Sequence, residues 1–146
     1  MSLRGTKQSK IKQMKNLISI NFGIPEHGWL PVNFKYNAFD LNFDVSDALN
    51  NPLEELNYVV TKLKDNEQQR ITWWLEPVAY FFDIKVKEGN YILNIIRTND
   101  LHNEKAEQEV LITITGNEEN IIEPFRIALR QFFTITYEEI HWAYKY

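Results

Sequence analysis

Apolar and polar residues alternate along much of this chain, and changes in the period mark the elements. In Trp29–Tyr36 the even positions Leu30, Val32, Phe34 and Tyr36 are apolar, and in Phe39–Val45 the odd positions Phe39, Leu41, Phe43 and Val45 are. A period of two puts each set on one side of a pleated strand, so both segments are predicted as strands with one buried and one wet face. Tyr36-Asn37-Ala38 is the expected turn between them, and Pro31 confines the first strand to a sheet edge or to its own start.

From Asn51 the period lengthens to that of a helix. Leu53, Leu56, Val60 and Leu63 form one apolar stripe. Asn51 can cap the first free amides, Pro52 suits the first helical position, and Glu54 completes a capping box. Lys62 and Lys64 favour the negative end of the dipole. The segment is predicted as an amphipathic helix of about three turns.

Residues 70–98 return to strand patterning. Arg70 to Glu76 is a short strand ended by Pro77, with Trp73 and Trp74 on opposite faces. Ala79–Lys87 and Tyr91–Thr98 form a hairpin around Gly89-Asn90, where a leading glycine suits a type II′ turn. That register sets Val86 opposite Leu93, Ile84 opposite Ile95 and Phe82 opposite Arg97. Moving the turn back one residue changes the pairs but keeps the faces, because even positions still meet odd ones.

A polar loop then leads to a strand in which Val110, Ile112 and Ile114 alternate with Glu109, Leu111 and Thr113. The C-terminal helix opens between Glu118 and Glu123, with Asn120 and Glu123 as its capping pair and an apolar face that includes Ile121, Phe125, Leu129 and Phe132. A further capping box, Thr136 with Glu139, predicts a short terminal helix carrying Ile140 and Trp142.

Two strands, a helix, four strands and a helix, joined mostly by short turns, predict an α+β fold. The expected form is an antiparallel β-meander sheet of about six strands with two main helices packed on one face, a two-layer sandwich. Residues 21–146 are read as a single α+β domain and residues 1–20 as a basic N-terminal arm or helix.

Composition changes this picture in one respect. The 146 residues carry a net charge of -4, but Arg4, Lys7, Lys10, Lys12 and Lys15 stand in an N-terminal segment without acids. Residues 21–146 hold 11 basic and 20 acidic residues, so the domain alone stands at -9. Such a surface repels phosphate backbones, and no nucleic-acid partner is expected for it. Ile11, Met14, Leu17, Ile18 and Phe22 fall near helical spacing in the basic segment. No apolar stretch approaches the length of a signal core or a membrane span, so a cytoplasmic protein with no membrane span is expected.

Residues of catalytic or ligating chemistry are few and scattered along the chain. The five glycines are isolated from one another, there is no cysteine, and no serine sits in a nucleophile elbow. His27, His102 and His141 are not at metal-ligand spacing, so neither a metal nor a cofactor is expected, and the reading leans away from an enzyme.

The leading expectation rests on the second sheet face. If Phe82, Ile84, Val86, Leu93, Ile95, Val110, Ile112 and Ile114 face the helices, then Phe81, Ile92, Ile96, Leu111 and one of Trp73 or Trp74 lie on the other side. Apolar groups in that number on a face open to water mark an interface, unless the N-terminal segment or the first hairpin covers them. The expected function is a non-catalytic protein-interaction module, of an immunity or adaptor type. It would present this acidic-rimmed face to a basic protein partner or to a second copy in a homodimer. The alternative is a small-molecule binder or hydrolase with a pocket between sheet and helices, carried by Glu76, Asp83 and Arg97 with Trp74 and Phe81.

Overall fold

A computed structural model describes residues 17–144, and the N-terminal segment with its five basic residues lies outside them. Three strands come first: β1 (Ile18–Phe22), β2 (Trp29–Tyr36) and β3 (Phe39–Ser46), antiparallel in that order. Ile18 and Phe22, grouped by spacing with a helix, belong instead to a strand, with Ile18 opposite Tyr36 and Phe22 opposite Val32. The β2–β3 turn is Asn37-Ala38, and Asn37 takes a left-handed φ of 54°. The alternation holds throughout, burying Ile18, Ile20, Leu30, Val32, Phe34, Phe43 and Val45 on one face.

The helix α1 (Pro52–Lys62) starts as its cap predicts, with the Asn51 side chain accepting the Glu54 N–H at 3.2 Å. It buries Leu53, Leu56, Val59 and Val60. A second antiparallel sheet follows, ordered β4 (Gln68–Trp74), β5 (Ala79–Lys87), β6 (Asn90–Thr98) and β7 (Gln108–Gly116). The β5–β6 turn lies one residue earlier than expected, at Glu88-Gly89 with φ of 53° and 77°, which places Lys87 opposite Asn90 and Ile84 opposite Leu93. The faces are those expected, since even positions still meet odd ones.

A single-turn helix α2 (Glu118–Ile121) and the helix α3 (Glu123–Phe132) complete the order. The cap of α2 is Asn117 with Asn120, not Asn120 with Glu123. No helix forms around Ile140 and Trp142. That segment instead wraps back as a strap, in which Trp142 is fully buried, the Ala143 N–H donates to Asp47 Oδ2 at 2.8 Å and Tyr144 Oη donates to the Asp47 carbonyl at 2.7 Å. Gly28 is fixed by the same aspartate. Its φ is +86°, and a Cβ there would lie 3.0 Å from Asp47 Oδ1.

The fold is α+β, but the single meander of six strands is replaced by sheets of three and four strands. The reason lies at the exposed edge of β4. The Thr72 N–H there donates to Glu55 Oε1 at 2.8 Å, and the Thr72 carbonyl accepts from Asn50 Nδ2 at 2.9 Å. At this position of the edge both outward backbone groups are held by side chains at the start of α1, so no further strand pairs there. The sheets meet through their apolar faces instead, with ring centroids of Phe34 and Phe82 5.5 Å apart and those of Phe43 and Trp73 5.7 Å apart. The helices close this shared core with Leu53, Leu56, Phe125, Leu129 and Phe132. Among the described residues, no helix is long and apolar enough to cross a membrane.

Candidate functional site

The second sheet has a face turned away from that core. Antiparallel pairing lines its residues up in rows across the four strands. One row runs Thr72, Phe81, Ile96 and Val110; the next runs Arg70, Asp83, Asn94 and Thr113; Lys85, Ile92 and Thr115 follow. Trp74 and Ala79 stand at the other end, beside Thr98 and Gln108.

The apolar row is not uniformly covered. Phe81 is buried beneath Arg70, whose guanidinium carbon sits 4.1 Å above the ring centre. The same guanidinium forms a two-pronged pair with Asp83, at 2.7 Å from Nε to Oδ1 and 2.8 Å from Nη2 to Oδ2. These bonds hold the guanidinium's affinity for its proton above the ordinary arginine range, against the opposing effect of partial burial. Beyond Phe81 the cover thins. Ile92 and Ile96 are half-buried and Val110 is 58% exposed. Trp74 is half-buried, with the His102 ring edge-on to it at 5.2 Å between centroids. Asn94 and Thr113 tie β6 to β7 across the face, with Thr113 Oγ1 donating to Asn94 Oδ1 at 2.5 Å.

One open choice is decided, and two placements, Leu111 and Val110, depart from expectation. Trp73 faces inward and is fully buried against Phe22, Phe43 and Phe82, so Trp74 is the tryptophan of this face. Leu111 occupies a bulge between the pairs Ile95–Ile112 and Ile96–Val110, and it packs against the core instead of joining the face. The bulge inserts one residue, so Val110 turns outward beside Ile96 although Ile112 and Ile114 point inward.

Neither a protein-family model, a curated protein nor a solved structure matches the chain. What this face can do rests on its own side chains.

The residues of the alternative pocket are not brought together. Asp83 lies on the outer face and pairs with Arg70, while Arg97, opposite Tyr80, follows the inner-face alternation and donates to Asn99. Glu76 is exposed in the β4–β5 turn with φ of 61°. Asp83 is four residues farther along β5 than Ala79, roughly 13 Å of strand. No group of three or more His, Cys, Asp and Glu side chains able to hold a metal occurs among the described residues.

Arg70, Val110 and His102 are the face residues that the sequence pattern did not single out. Arg70 shares its parity with Thr72 and Trp74, and that signal was present. The outward turn of Val110 had none, because a bulge leaves no mark in the alternation it interrupts. His102 reaches Trp74 only through the course of the loop after β6.

Proposed function

We propose that this protein is a non-catalytic interaction module that engages a basic protein partner through the outer face of the β4–β7 sheet. The observation that carries the reading is the outward-turned Val110 beside half-buried Ile96, in one row with Phe81 under its arginine lid and next to the row that Trp74 begins. A β-branched side chain left 58% exposed beside a half-buried isoleucine gains apolar burial when a partner covers it. Asp100, Glu104 and Glu107, with one base, Lys105, stand in the loop that joins β6 to β7 at this end of the sheet, and their excess of acids favours a partner of positive charge. Arg70 adds a planar donor that stacks on aromatic rings and is suited to the centre of an interface.

The test is photo-crosslinking in cells with a reactive phenylalanine analogue at position 110 and, as a control, at Lys35 on the other sheet. The reading expects an adduct at 110 that Ile96→Lys abolishes, with none at 35. A monomeric protein with no adduct at 110, or equal adducts at both positions, refutes it.

A further inference from the structure

The first sheet ends at β1, and among the described residues no strand pairs with its outer side. Beside that edge runs a groove of about 330 Å³, lined by Leu17–Asn21 on one wall and by Glu119, Glu123, Pro124, Ile127 and Gln131 on the other. Consecutive residues of both parities line the first wall, so the groove follows the strand's edge and not one of its faces. Leu17 and Ile127 face water at 47% and 45% exposure, and among the described residues the charged ones that line the groove, Glu119 and Glu123, are both acidic. Nearby, Arg126 pairs with Glu118 and Glu123 and leaves Glu119 to the groove. The contrast with β4 is direct. There the edge amide and carbonyl of Thr72 are sealed by Glu55 and Asn50, whereas no backbone group outside the first sheet bonds Ile18–Phe22 among the described residues.

We propose that this groove binds an extended basic segment of a partner protein, which adds alongside β1 as a fourth strand of the first sheet. An edge strand offers alternate N–H and C=O groups to an incoming backbone, and a helix beside it supplies contacts for every second side chain. Here the apolar side chains of the segment seat between Leu17 and Ile127, and its lysines or arginines meet Glu119. The acidic lining and the excess of acids over bases in the domain select the charge of the occupant. This site is separate from the outer face of the second sheet and does not depend on it.

The test is amide NMR on the full chain, titrated with a blocked peptide of alternating lysine and valine. Controls are the same peptide with glutamate for lysine, and one N-methylated at every valine, which keeps charge and apolar groups but cannot pair. The proposal expects shifts at Leu17–Asn21 and Ile127, slowed exchange of β1 amides, and binding about tenfold weaker or worse for both control peptides and for Ile127→Ser or Glu119→Lys. Ile127 and Glu119 are exposed, so these variants keep the fold. Equal binding of the N-methylated peptide, or shifts confined to the second sheet, overturns the proposal. So does protection of β1 amides in the free chain that is lost on deleting residues 1–16 or on dilution, since the occupant is then the chain's own N-terminal segment or a second copy.

Discussion

The carboxylate of Glu55, on α1, accepts the backbone N–H of Thr72, on β4, at 2.8 Å. A helix side chain thereby takes the place a neighbouring strand would hold, and the chain builds two sheets instead of one. The carboxylate also accepts from Asn50 Nδ2, which reaches the Thr72 carbonyl as well. Glu55→Ala leaves the Thr72 N–H without its acceptor and is expected to cost about 1–3 kcal/mol, measured by urea unfolding at pH 7. An unchanged midpoint would remove Glu55 from the account of the sheet break.

The same carboxyl has a pH signature. Desolvation raises its pKa above the ordinary glutamate range, and the hydrogen bonds from Thr72 and Asn50 only partly oppose that rise. The folded state thus binds the Glu55 proton more tightly than the unfolded chain does. Its contribution to stability is largest below about pH 4.3, the unfolded value, and declines as pH rises through the folded one. Glu55→Gln keeps an acceptor oxygen without the charge, so the stability difference between wild type and this variant should change across that interval and flatten above it. A pH-independent difference contradicts the burial argument.

Arg70 and Asp83 form a pair in which one member is buried and the other half-exposed. Arg70→Ala strands the Asp83 carboxylate and uncovers Phe81, for an expected loss of about 1–3 kcal/mol. Removing both side chains should cost less than the two single losses together, because no buried charge is left unpaired. A double-mutant cycle in urea reads this directly, and strict additivity would show the pair to be uncoupled.

Trp73 and Trp74 are adjacent in sequence and opposite in fate. Trp73→Ala is expected to cost about 3–5 kcal/mol, since it empties the junction of the two sheets. Trp74→Ala should cost about 1 kcal/mol, limited by its partial exposure and its contact with His102. Chemical denaturation of the two variants compares them, and similar losses would mean that the faces of β4 are misassigned.

Asp47 holds the C-terminal strap through the Ala143 amide. The same strap is tied to the 26–28 turn, where the Gly28 N–H donates to the His141 carbonyl at 2.8 Å and the His27 N–H donates to His141 Nδ1 at 3.0 Å. Asp47→Ala should speed hydrogen exchange at Ala143 by about an order of magnitude, for the loss of roughly 1 kcal/mol. Exchange there that matches wild type would show that the Asp47 carboxylate does not hold the strap.

The parts of this protein legible in its sequence are those set by near neighbours. The faces of β2, β3, β5 and β6 follow from a period of two, and the start of α1 follows from Asn51, Pro52 and Glu54 acting within one turn. The hairpin faces survived a misplaced turn because parity, not register, decides which side chains are inward. The same local logic grouped Ile18 and Phe22 with a helix and read Thr136 to Glu139 as a cap, since a spacing that fits a helix does not by itself exclude a strand or a strap. For the candidate face, Phe81, Ile92 and Ile96 could be assigned by parity alone.

What only the tertiary structure decided depends on groups far apart in the chain. Thr72 is bonded to Glu55 and not to β3, Leu111 swells the last strand and turns Val110 outward, and Asp47 captures a segment almost a hundred residues away. Alternation records which side of a strand is apolar. It does not record which partner satisfies a strand's edge, because that choice is settled by hydrogen bonds between elements whose meeting the whole core determines.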